Sequence, residues 1–167
     1  MTATKEPASA AGVKSTIEAF FDAINAEDTK ALQARFHPKA GLTIIRQDPP
    51  LPPDGSRTPT PDSRISAVNT FSIEQFIALI EEGQKQRKGK PGPKLHEAPA
   101  LSETQVTVDA LFATAVSPFT VTFDGVLHHY GQMISNFWKE SEKDDWRIQS
   151  VTQNYRRTPG WETESTQ

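Results

Sequence analysis

Cysteine is missing from this 167-residue chain. Its absence excludes a disulfide framework, a thiolate-held zinc or iron–sulfur site and a thiol nucleophile. It also fits a reducing compartment. Long apolar runs are missing as well, and nothing approaches the ~20 residues that cross a bilayer. Neither sign of charge dominates: 18 Lys and Arg stand against 21 Asp and Glu, for a formal charge of -3 and a pI near 5.8. That balance argues against nucleic acid as a partner. There is no phosphate loop, dinucleotide fingerprint, G-x-S-x-G elbow or H-E-x-x-H. Histidines occur only at 37, 96, 128 and 129, without the spacing of a ligand set, so neither metal nor cofactor is expected. The stretch from Met1 to Ala11 lacks the apolar segment of a signal peptide, and a cytoplasmic protein is the expectation.

What is present suffices for one domain. Nine Phe and three Trp in this length supply a core without staples. The expected core spans residues 13–156, between polar tails at 1–11 and 158–167. Val13, Ile17, Phe20, Phe21 and Ile24 recur at helical spacing. Asp28 is placed as the N-cap of a short second helix, Thr29 to Phe36, which His37-Pro38 ends. Leu42 to Gln47 reads as a strand. Residues 48–63 hold six prolines, which exclude a helix or inner strand and leave a loop that is either a plain insertion or a lid. Ser72-Ile73-Glu74-Gln75 forms a capping box opening a helix of roughly eleven residues, with Gly83 as its stop. Residues 84–94 are basic, either a solvated linker or an anion site. From Val106 the chain is strand-rich. Pro118 marks a bulge or edge, and Asp124-Gly125 signals a two-residue type I′ hairpin.

Three segments resemble a known superfamily. Phe20 to Asp28 (FFDAINAED) is similar to the opening helix of nuclear-transport-factor-2-like (SnoaL-like) proteins. Val121 to Gly131 (VTFDGVLHHYG) and Asp144 to Arg156 (DDWRIQSVTQNYR) resemble the closing hairpin and strand of its SnoaL-like and lumazine-binding-like branches. The resemblance implies an α+β cone: three helices packed on a strongly curved, mostly antiparallel sheet around an apolar pocket. It also implies a homodimer through the sheet face.

Proton transfer is the chemistry such a pocket suggests, since an Asp–His pair fixes an imidazole tautomer and moves a proton near neutral pH. In register with scytalone-dehydratase-like members, the Asp falls on Asp22 and the His near His96. His128 and His129 are strand neighbours and should point to opposite faces. Alternation favours His128 for the apolar side, and the resemblance favours His129. Phe21, Phe76, Phe112 and Tyr130 are expected to line the pocket, with Ser135 or Asn136 orienting a carbonyl. Two functions stay open: a cofactor-independent lyase, isomerase or cyclase acting on a small apolar oxygenated molecule, and a non-catalytic binding or dimeric accessory protein.

Overall fold

The apolar stripe read from Val13 to Ile24 lies on helix α1 (Ala8–Asn25), whose Val13, Ile17, Phe20 and Phe21 are fully buried. A computed structural model describes residues 8–48, 64–88, 90 and 94–158. The proline-rich stretch 49–63, and residues 89 and 91–93 of the basic stretch, fall outside them. Helix α1 stops in a Schellman-type turn. Glu27 takes a positive φ of 51°, its N–H bonds the Ile24 carbonyl, and the Asp28 N–H reaches back to Ala23. Asp28 then caps α2 (Thr29–Arg35) by accepting from the Ala31 N–H at 2.9 Å. The helix ends before His37-Pro38, and the chain continues extended as β1 (Phe36–Asp48).

The capping box is formed: the Ser72 hydroxyl accepts from the Gln75 N–H, and the Gln75 side chain accepts from the Ser72 N–H. Helix α3 (Ile73–Arg87) does not stop at Gly83, as expected, but runs one turn further. That turn is tied to the corner after α1. Gln84 donates to the Glu27 carbonyl at 2.6 Å, and Arg87 pairs with the Glu27 carboxylate. These contacts offset the ~1 kcal/mol that an interior Gly costs a helix.

The seven-stranded sheet runs β2–β1–β7–β6–β5–β3, with β4 also on β5. Its members are β1, β2 (Arg64–Ser72), β3 (Leu95–Pro99), β4 (Gln105–Asp109), β5 (Phe112–Phe123), β6 (Val126–Trp138) and β7 (Arg147–Arg157). Among the described residues only β1 and β7 pair in parallel. The strand-rich stretch from Val106 to Phe123 comprises two strands, parted at Ala110, where φ is 50°. Pro118 is neither bulged nor out of place. Its carbonyl accepts from Ala100 where β5 passes from β3 to β4, so its missing N–H faces the gap between those partners. The Asp124-Gly125 turn has φ of 49° and 80°, as a type I′ hairpin requires.

Register decides which side chains face the helices. Ala113, Ala115, Ser117, Phe119 and Val121 of β5 lie beside Phe137, Ser135, Met133, Gly131 and His129 of β6. Nearly all are buried, and the β7 residues Ile148 and Val151 extend the same face. Phe20 packs edge-on to Phe21 and Phe36, and Phe21 meets Phe119 with ring centroids 6.2 Å apart. Trp146 is structural, filling the space beside Gly12 of α1 and accepting from Thr16 through its carbonyl. Among the described residues no helix is long and apolar enough to cross a membrane.

Candidate active site

Alternation along β3 puts Leu95, Glu97 and Pro99 on the inner face and His96 on the outer one, because Glu97 pairs with inward Val121 and His96 with Thr122. His96 is exposed, and so is Asp22 on the solvent side of α1. Neither side chain has a hydrogen bond or ion pair among the described residues. The Asp22–His96 dyad expected from the resemblance is therefore not assembled, and the acid of this region is the neighbour, Glu97.

Glu97 is held at both ends. The Asn25 side chain, on the last turn of α1, takes its backbone as a partner strand would. Asn25 Nδ2 donates to the Glu97 carbonyl and Asn25 Oδ1 accepts from the Glu97 N–H, each at 2.7 Å. The carboxyl group itself reaches Gln153 of β7. Strands β5 and β6 lie between β3 and β7 in sheet order, so this bond spans the interior of a sheet that curls on itself. Glu97 keeps some exposed surface as a residue, yet its Oε2 is shut off from solvent and has no partner among the described residues. Burial raises the carboxyl pKa from 4.5 to about 7, with the Gln153 hydrogen bond opposing the rise.

His129 shares this face. It flanks Val121 on the side away from Glu97, two strand spacings or about 10 Å across the sheet. The two histidines do not point to opposite faces. A bulge opens between Val121 and Thr122, with His128 as the extra residue. His128 is buried at 7% exposure, and its Nδ1 lies 2.7 Å from Nδ1 of His129. One ring donates and the other accepts, so the pair shares a proton between these atoms. The His129 ring is stacked on Tyr155 at 4.3 Å and meets Phe119 edge-on at 6.2 Å. Burial first, then the charges of His128 and Arg157, push its pKa down from 6.5 to about 4. It is a neutral imidazole at pH 7.

The remaining expected residues divide by face. Phe21 is in the core beneath the site, and Phe76 packs on Phe71 at the edge of the core. Ser135 faces inward with a buried, unpartnered Oγ, six residues along β6 from His129 and so roughly 20 Å away. Asn136 faces outward and donates to Ser150. Phe112 and Tyr130, at 46% and 44% exposure, lie outside and cannot line an interior pocket. No cluster of three or more metal-ligating side chains occurs among the described residues.

Three helices on one curled, mostly antiparallel sheet, with polar groups gathered on its inner face, define the architecture. A protein from Cytophaga hutchinsonii described as NTF2-like superposes with a TM-score of 0.55 at 11% identity, covering 87% of this chain and 95% of that one. The fold is the NTF2-like cone. A cystatin-like-fold protein of unknown function from Nostoc punctiforme aligns on this cone with a TM-score of 0.59 at 10% identity over 89% and 90% of the two chains. A protein from Novosphingobium aromaticivorans, described as the β subunit of an aromatic-ring-hydroxylating dioxygenase, gives 0.62 at 12% identity over 89% of each. No family model and no curated protein matches the sequence.

Glu97, Gln153, Tyr155 and Arg157 were not singled out from the sequence. Alternation in Lys94-Leu95-His96-Glu97-Ala98-Pro99 held the signal, because Glu97 must share a face with Leu95. Flanking prolines hid the strand.

Proposed function

We propose that this NTF2-like cone is a cofactor-independent acid–base enzyme, a lyase or isomerase, acting on a small apolar molecule with a carbonyl or hydroxyl group. One observation carries the reading: an inward carboxyl group, sealed from solvent, with one oxygen unspent and a pKa near neutrality. Such a group is both acid and base at pH 7, which is what removal of a proton beside a carbonyl or protonation of a departing hydroxyl requires. Gln153 holds the carboxyl group, leaving Oε2 for the substrate. Neutral His129 supplies an acceptor, and Phe21, Phe119 and Val121 pack beneath these groups as apolar support.

The test is exchange in D2O with a panel of cyclic ketones and β-hydroxy ketones. Protein-dependent deuterium uptake beside the carbonyl, or loss of water, is expected. It should drop at least 100-fold in Glu97→Gln and stay unchanged in Asp22→Asn. Activity that survives Glu97→Gln contradicts the assignment.

Assembly is the second element of the proposal. The outer face of the sheet exposes Ile134, Tyr130 and Val68 at 47%, 44% and 57%, an apolar surface of the kind that marks contact sites. A homodimer through this face accounts for it. Sedimentation velocity should report a dimer that Ile134→Lys converts to monomer. A native monomer at ~100 μM, a concentration that populates dimers of micromolar affinity, overturns this part.

A further inference from the structure

Helix α1 ends on Asn25, a residue type that suits a helix poorly because its short amide competes for backbone hydrogen bonds. Here the amide is spent on another element. Strand β3 lies at one end of the sheet order, and among the described residues it pairs with β5 alone. In an antiparallel pair, successive residues aim their N–H and C=O groups alternately at the partner and away from it. The Lys94 carbonyl accepts from the Asp124 N–H, and the Ala100 N–H donates to the Pro118 carbonyl. Alternation between these two points gives the backbone bonds to His96 and Ala98. Leu95, Glu97 and Pro99 therefore turn theirs away from β5, to the open edge of the sheet.

Asn25 meets that edge at Glu97. A carboxamide presents a donor and an acceptor side by side, as a peptide unit does, and both are used. Nδ2 donates to the Glu97 carbonyl and Oδ1 accepts from the Glu97 N–H, each at 2.7 Å. Among the described residues no other side chain bonds the edge-facing backbone of β3. The clamp is itself anchored, because Phe20, Phe21 and Ile24 of the same helix are buried in the core.

Holding the backbone holds the side chain. With its peptide groups fixed, Glu97 keeps its Cα–Cβ bond on the inner face, aimed toward Gln153. The amide also stands where water would otherwise stand. Unpaired N–H and C=O groups on a sheet edge are hydrated, and that hydration would sit beside a carboxyl group whose Oε2 is shut off from solvent.

We infer that Asn25 is the positioning residue of the acid–base site: its amide locks the edge of β3 so that the Glu97 carboxyl stays turned into the cone and out of water. This rests on the reading of Glu97 as the acid–base group. Asn25 itself touches no reacting atom and acts through Glu97.

The test uses the full chain with Asn25→Ala and Asn25→Leu. Both replacements favour a helix more than Asn does, and Leu keeps most of the volume, so α1 is retained. Two signals are read: hydrogen exchange of the Glu97 amide, and the midpoint of a ¹³C titration of the Glu97 carboxyl. Both variants should speed the exchange about tenfold or more. Both should also lower the midpoint from about 7 toward 4.5, by roughly one pH unit or more. Thr16→Val is the control. It removes another long-range bond of α1, from the Thr16 hydroxyl to the Trp146 carbonyl, and should lower thermal stability while leaving both Glu97 signals in place. If the Asn25 variants leave the amide protected or the midpoint near 7, or if Thr16→Val moves the midpoint as far, the role of Asn25 is overturned and the acid–base reading stands. A midpoint near 4.5 in the native chain removes the acid, and this inference with it.

Discussion

Replacing Glu97 with Gln is expected to stabilise the protein by about 3 kcal/mol at pH 8 and to change little at pH 4. The folded chain holds this carboxyl at a pKa raised from 4.5 to about 7. Between those values the folded state binds a proton that the unfolded state has released, so stability falls as pH rises. The penalty is absent below 4.5 and complete above about 7, and at ~1.4 kcal/mol per pH unit it reaches about 3 kcal/mol. Gln is uncharged at every pH and keeps a partner for Gln153, so it removes the penalty and leaves the packing.

His129 supplies the opposite slope. Its pKa falls from 6.5 to about 4 on folding, so the unfolded state binds more protons between those values and stability rises with pH across them. In the native chain the two slopes nearly cancel from about pH 4.5 to 6.5. In Glu97→Gln only the rising His129 slope remains. Urea unfolding at pH 4, 6 and 8 measures both. A variant no more stable than native at pH 8 shows that Glu97 carries no burial penalty.

Gly131→Ala should be the most damaging single change in the sheet. This residue sits on β6 opposite Phe119 and Tyr155, two positions from His129. A Cβ there would lie 1.9 Å from the Asn154 carbonyl oxygen and 2.7 Å from the Tyr155 Cα. Both obstacles are backbone, so no rotamer change relieves them, and β6 and β7 must part. A loss of about 3–5 kcal/mol is expected, in the range reserved for severe steric strain. The melting temperature should drop by roughly 10 °C or more. Gly41→Ala is the control: its Cβ would meet the Phe71 carbonyl oxygen at 3.6 Å, an ordinary contact. Thermal melts of the two variants that agree within ~2 °C contradict the clash.

The sequence was most legible where local chemistry alone decides. The apolar stripe of α1, the Asp28 cap, the capping box at Ser72 and the Asp124-Gly125 turn each use residues whose preference is built into a few neighbouring bonds. Partner-dependent features were hidden. Strand β2 has too little alternation to stand out, and β3 is five residues between prolines, extended because β5 lies beside it. Helix α3 passes Gly83 because Glu27, more than fifty residues away, holds its last turn.

The site was least legible for the same reason. Asp22 and His96 were expected from a resemblance to scytalone-dehydratase-like members, yet faces are set by strand register. One step of parity along β3 exchanges His96 for Glu97. The bulge at His128 rests on how β5 and β6 close around the turn, and it brings together two rings that simple alternation sends apart.

The most direct measurement is a ¹³C-detected pH titration of the Glu97 side-chain carboxyl, assigned by the signal missing from Glu97→Gln. A midpoint near 7 is the result required by an inward, water-excluded acid ready to exchange protons with a guest in the cone. A midpoint near 4.5 would mean a hydrated carboxylate, and the acid–base site built on it would not exist.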